Sequence, residues 1–333
     1  MIQTPPHTTI PARRWPRRRR GALLASAILV LLGSTVLYWS MHMEDEGTRT
    51  SLLDRKGTLI SALEIPATTA SPEEAVDLLL TSSTGLTAKC RVLPSPEGKT
   101  LPGVVLLNGI KQGRRVVDYP AIVEINRRAV VISMDYPFAW AKDLAGWDLP
   151  GALVALRQSA LDSVSAVLLM VDYLASRPDI DRDRIIIVGS SFGAPLAVIA
   201  GAVDPRPAAV AVIYGGGNLG DLVAHNIRQS GRLGRTAFPP VLAGVIGRAI
   251  AWTLTPLEPN RYAPLIAPRP LLLISGTDDE LIPRESVLAL YAAARAPKDL
   301  RWITSKHLRP REQDRMRNLV QQLNQWLTQQ QLL

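Results

Sequence analysis

From residue 75 onward, short apolar runs recur between amphipathic stretches. Asp77 to Leu93 alternates apolar and polar positions around Ser82–Gly85. That period of two predicts a β-hairpin, with Pro94–Gly98 as the turn behind it. Val104–Leu107, Val130–Ser133, Ile185–Val188, Val210–Ile213, Leu271–Ile274 and Trp302–Thr304 follow, most of them apolar throughout. Strands read this way when helices cover both faces of a parallel sheet. Between them Leu161, Val164, Leu168, Val171 and Ala175 recur at helical spacing, and Met316, Leu319, Val320, Leu323 and Leu327 do so near the C-terminus. The alternation predicts an α/β fold: a mostly parallel central sheet, helices on both faces, and an antiparallel edge.

The alternation breaks between Ile213 and Leu271, where no clear strand occurs. Pro239-Pro240 and the apolar patch Val241–Leu254 lie there. The patch carries Arg248 and is too short to span a bilayer. We read residues 215–265 as a helical insertion forming a cap over the sheet edge.

Composition changes the picture at the N-terminus. The chain is 47% hydrophobic and 20% charged, a balance that supports a packed core rather than disorder. Its net charge of +9 is concentrated: Arg13, Arg14, Arg17, Arg18, Arg19 and Arg20 lie before any acidic residue, and the rest of the chain carries only +3. Bulk charge is therefore no argument for nucleic-acid binding. Gly21 to Ser40 is free of charge and about long enough to cross a bilayer. Arginines precede this run and Glu44, Asp45 and Glu46 follow it, which by the positive-inside rule leaves the N-terminus in the cytoplasm and the domain outside. The expected organisation is a basic tail at 1–20, a transmembrane helix or signal-anchor at 21–40, a linker at 41–74, and an α/β domain at 75–333. A cleaved export signal is the alternative, although Leu37, Tyr38 and Trp39 are bulky for a cleavage site. The single cysteine, Cys90, cannot form an internal disulfide and sits in an alternating stretch, so we read it as structural.

The chemistry centres on Gly189-Ser190-Ser191-Phe192-Gly193, which follows the run Ile185–Val188 and precedes the helical run Ala194 to Ala202. Strand, G-x-S-x-G, helix is the arrangement of a nucleophile elbow. Gly189 and Gly193 leave room for a turn so tight that it lifts the Ser191 hydroxyl to the C-terminal edge of the sheet. A serine hydroxyl needs a base. Of four histidines, His7 and His42 flank the apolar N-terminal segment and His225 opens the insertion. His307 lies between the last predicted strand and the C-terminal helix, which makes it the candidate base. A carboxylate must orient that base, and Asp278, Asp279 and Glu280 follow the strand Leu271–Ile274 together. Ile110, in the loop after Val104–Leu107, and Phe192 are the candidate backbone donors of an oxyanion hole. No Cys and His cluster has zinc spacing, and no cofactor is implied.

The chain resembles the α/β-hydrolase superfamily, and within it the dienelactone-hydrolase and prolyl-oligopeptidase-type esterases. Three stretches carry the resemblance: 104–109 (VVLLNG), 181–193 (DRDRIIIVGSSFG) and 267–283 (APRPLLLISGTDDELIP). In such proteins the acid stands three residues after a glycine and four before a proline, and that frame selects Asp279. Dienelactone hydrolases use cysteine where Ser191 stands here. The frequent His-Gly of the oxyanion loop is Asn108-Gly109, and the histidine lies in Lys306-His307-Leu308. The resemblance implies a serine esterase acting on a small ester-like substrate. A peptidase or acyltransferase on the same residues, or a catalytically silent membrane-tethered binding module, are the alternatives.

Overall fold

The computed structural model describes residues 47–66, 75–94, 100–109, 111–122, 128–137, 149–230, 232–233, 236–237, 240–309 and 312–333. The basic tail at 1–20 and the apolar segment at 21–40 lie outside these residues, and the described ones belong to one compact unit.

Among the described residues one sheet has nine strands: β1 (Leu59–Ile65), β2 (Val76–Ser82), β3 (Thr87–Leu93), β4 (Leu101–Leu107), β5 (Val130–Met134), β6 (Ile180–Ser190), β7 (Ala209–Ile213), β10 (Leu271–Gly276) and β11 (Lys298–Ile303). Two short strands, β8 (Arg232–Leu233) and β9 (Thr236–Ala237), pair separately. The order in the large sheet is β1-β2-β3-β5-β4-β6-β7-β10-β11. The first three strands form an antiparallel meander that joins β5, and the strands from β5 to β11 run parallel. The exchange of β4 and β5 brings β4 beside β6, so the loop after β4 ends next to the turn after β6.

The helices are α1 (Arg49–Lys56), α2 (Leu149–Ser176), α3 (Gly193–Val203), α4 (Leu219–Ser230), α5 (Pro240–Thr253), α6 (Pro259–Tyr262), α7 (Arg284–Ala293) and α8 (Gln313–Gln329). Side-chain alternation splits the core into two layers. Ile185, Ile187, Leu271 and Leu273 pack with α2 and α3 on one face. Ile186, Val188, Leu272 and Ile274 pack with α8 and the 3-10 turn Gly113–Asp118 on the other. Strands apolar on both sides are what this arrangement requires. Within α2, Leu153–Ser176 is long and apolar enough to cross a bilayer, but 67% of its apolar window is buried inside the domain, as befits a core helix.

Two expectations change. The stretch expected as a linker contains α1 and β1. β1 is an outermost strand with Ile60 64% and Leu63 60% exposed, so it lacks the buried stripe that marks a strand in sequence. The last strand is also earlier than the expected Trp302–Thr304, because β11 is the opposite edge and its Lys298-Asp299 start is only half-covered. The insertion after β7 is mostly helical, with α4 packed on α5, but it also holds the short β8–β9 pair where no strand was expected.

Candidate active site

Every residue of the site leaves the C-terminal end of a parallel strand. Ser191 follows β6, and its φ of 53° puts a non-glycine residue in the left-handed region. The Ser191 N–H still donates to Ile213 O at 2.9 Å, and Ala194 N–H donates back to Ser191 O at 3.0 Å. The turn therefore closes within one residue of the strand. Both flanking glycines are required sterically. A Cβ on Gly189 would lie 2.5 Å from the Ala197 Cβ, and one on Gly193 would lie 2.6 Å from the Leu107 Cβ. Phe192 sits half-buried at the start of α3.

The structure brings Ser191, His307 and Asp279 into one hydrogen-bonded chain. Ser191 Oγ lies 3.0 Å from His307 Nε2. His307 Nδ1 lies 2.9 Å from Asp279 Oδ2 and 3.1 Å from Oδ1. The His307 side chain is 9% exposed and that of Asp279 only 1%, so water competes little for the pair. Asp279 Oδ1 also accepts the Leu281 and Ile282 N–H groups at 2.8 and 3.0 Å, which fixes the carboxylate. With the imidazole proton on Nδ1, facing Asp279, Nε2 is left to accept from the Ser191 hydroxyl. Such a relay can remove the hydroxyl proton as the oxygen attacks an electrophile.

The loops carrying acid and base are tied together. Thr277 N–H donates to Ile303 O and Asp278 N–H to Ser305 O. Glu280 accepts the backbone N–H of His307 at 3.1 Å. Burial pushes the Glu280 carboxyl up, but its own N–H, the His307 N–H and Arg309 outweigh that and hold it below its ordinary value. Of the three acids, Asp279 alone reaches the imidazole; Glu280 steadies the backbone beneath it. Asp278 is exposed, within 3.3 Å of the Thr277 hydroxyl. His225 is far from Ser191 in role: its Nε2 meets Glu280 O at 3.1 Å, and Asn226 donates to Leu281 O at 2.9 Å, so α4 rests on the acid loop.

Tyr214 follows β7 directly and opens a Tyr-Gly-Gly-Gly run. Its side chain is fully buried, its ring lies 5.3 Å from the His307 ring, and its hydroxyl pairs with Ser305 Oγ at 2.7 Å. Tyr136 and Ser305 carry no motif in the sequence, and Glu280 stood there only as one of three candidate acids. Tyr136 stands two residues past the end of β5, and its place at the active edge of a parallel strand is the signal that could have found it. Ile110 lies outside the described residues. Its neighbour Gly109 donates its N–H to Asn108 Oδ1 at 2.7 Å.

No protein-family model matches the chain, and no curated protein matches it. Solved structures do. Acetyl xylan esterase 1 from Thermoanaerobacterium sp. superposes with a TM-score of 0.59 at 17% identity, covering 84% of this chain and 91% of that one. An acetyl xylan esterase from Paenibacillus sp. gives 0.56 at 18% identity over 85% and 93%. An α/β hydrolase from Penicillium sp. gives 0.52 at 18% identity over 75% and 96%. The fold is that of the α/β hydrolases. In an α/β hydrolase the loops at the C-terminal strand edge hold the chemistry, which is where Ser191, Asp279 and His307 meet here.

Proposed function

We propose that the protein is a serine hydrolase that cleaves carboxylic-ester or thioester bonds through an acyl-enzyme on Ser191. The observation that carries this reading is the unbroken chain from Ser191 Oγ through both ring nitrogens of His307 to Asp279. Ser191 attacks the carbonyl carbon while His307 takes its proton on Nε2. Asp279 holds the imidazole in the Nδ1–H tautomer and stabilises its cationic form. The N–H groups of Ile110 and Phe192 are assigned to the oxyanion. His307 then returns its proton to the leaving alcohol or thiol, and activates water to release the acid and free Ser191. No metal or organic cofactor enters these steps. The esterases among the structural neighbours support an ester over an amide, and the motifs at 181–193 and 267–283 favour the dienelactone-hydrolase-like branch.

The test is labelling of the full chain with a fluorophosphonate, beside Ser191→Ala. Labelling of wild type that vanishes in the variant, with hydrolysis of p-nitrophenyl esters, supports the reading. An unreactive, well-folded wild type overturns it and favours a silent binding module. Preferential transfer to an added alcohol or amine would make the protein an acyltransferase, and cleavage of amides would make it a peptidase.

We further propose that residues 21–40 anchor the domain outside the cytoplasmic membrane, with the arginine-rich tail inside. The charge asymmetry across that segment supports this. Protease added to intact cells should remove the domain, and retention of full-length protein after such treatment would reverse the orientation.

A further inference from the structure

The loop that follows β4 is held at both ends by two consecutive residues of another strand end. At its start, the Tyr136 hydroxyl accepts the Asn108 N–H at 2.9 Å and donates to Asn108 O at 2.6 Å. One phenol thus fixes both sides of one backbone residue. At its end, Asp135 accepts the Arg114 backbone N–H at 3.0 Å and pairs with the Arg114 guanidinium. Gly113, at φ 50°, packs so closely on the Asp135 carboxylate that a Cβ there would strike it. Between these anchors Gln112 N–H closes a turn onto Gly109 O at 3.1 Å. Arg114 also reaches the buried Asp77 at 3.3 Å, which ties the loop's far end to β2.

Tyr136 also touches the other half of the site. Its ring meets the Phe192 ring edge-on, with centroids 5.1 Å apart at 76°. Phe192 immediately follows Ser191. Burial holds the phenol well above its ordinary pKa, against the opposing effect of its backbone hydrogen bond at Asn108, so it remains a donor across the working pH range.

We propose that Tyr136, assisted by Asp135, is a positioning residue that sets the loop after β4 and Phe192 at the fixed separation an oxyanion hole needs. This rests on the serine-hydrolase reading. Oxyanion stabilisation depends on donors aimed in advance at where charge develops, and small misplacement is costly. A tyrosine that grips the backbone with its tip and supports the opposite donor segment with its ring edge supplies that preorganisation without touching substrate.

The test uses the full chain. Tyr136→Phe keeps the ring against Phe192 and removes only the hydroxyl. With melting temperature near wild type, kcat on p-nitrophenyl acetate should fall about 10- to 100-fold while KM stays within about twofold. Affinity for a trifluoromethyl ketone, whose tetrahedral adduct bears an oxyanion, should fall by the same factor. A merely structural role would lower the melting temperature and leave both readouts intact. Asp135→Ala releases the other end of the loop and should give the same signature if Tyr136→Phe does not fold. Variants with kcat within about twofold of an active wild type, or with raised KM at unchanged kcat, overturn this proposal alone. A wild type inert to both fluorophosphonate and esters overturns the serine-hydrolase reading, and this proposal with it.

Discussion

Ser191 and Tyr214 end neighbouring parallel strands in the same unusual way: both hold positive φ, 53° and 51°, immediately after β6 and β7. Each still makes a ladder bond, Ser191 N–H to Ile213 O and Tyr214 N–H to Ile274 O. Each then turns away at once, which brings the Ser191 hydroxyl and the Tyr214 ring to His307. A non-glycine residue in the left-handed region costs about 1–2 kcal/mol. The site is therefore built on backbone that resists its own conformation.

That strain makes a stability prediction. Ser191→Gly should be more stable than Ser191→Ala by about 1 kcal/mol in denaturant unfolding, because glycine adopts positive φ freely. Both variants should be inactive. Equal stabilities would show that the turn at residue 191 is not strained in solution.

Asp279→Asn should lower kcat by about 10³- to 10⁴-fold with little change in fold, since the amide keeps an acceptor but presents the wrong partner to His307 Nδ1. Glu280→Gln, which still accepts the His307 N–H, should cost far less. Steady-state kinetics on both variants checks the choice of acid, and a larger loss at Glu280 would reverse it.

The two histidines of the domain should separate cleanly. His307→Ala should lower the fluorophosphonate labelling rate by about 10⁴-fold or more. His225→Ala removes one hydrogen bond between α4 and the acid loop, worth about 1 kcal/mol, and should leave the rate within about threefold.

Gly193→Ala places a methyl against Leu107 and within 2.9 Å of the Asn108 nitrogen, where α3 meets the end of β4. Overpacking of this kind costs about 1–3 kcal/mol. Thermal unfolding should show that loss, and activity should fall more steeply because the displaced backbone adjoins the site.

Cys90 is fully buried, and burial pushes its thiol well above the ordinary range. It should resist iodoacetamide at pH 8 in the folded protein and react only on unfolding. Stoichiometric alkylation of native protein would show that β3 opens readily.

Much of this was legible in the chain because the governing signals are local. Runs such as Ile185–Val188 and Leu271–Ile274 announce strands covered on both faces, and the spacing of Leu161, Val164 and Leu168 announces a helix. The Gly189–Gly193 pentapeptide follows one run and precedes another helix, so Ser191 stood out by context. His307 stood out by elimination. Asp279 was fixed only by resemblance, because composition cannot distinguish three adjacent acids.

Tertiary structure decided the rest, where the deciding partner is remote in sequence or the element lacks a buried stripe. β1 is too exposed to show a pattern, so 59–65 read as linker. Asp279 rather than Glu280 meets His307 because the turn after β10 aims one carboxylate at the ring and the other at the backbone. Tyr136 reaches Asn108 because β5 lies parallel beside β4 and both chains leave the sheet at the same edge, a pairing that no local periodicity encodes. Periodicity records which side of an element is buried; it does not record what lies against that side. The sequence by itself determined the buried strands and helices and the candidate nucleophile Ser191, and the packing of strand ends against one another determined which side chains face it.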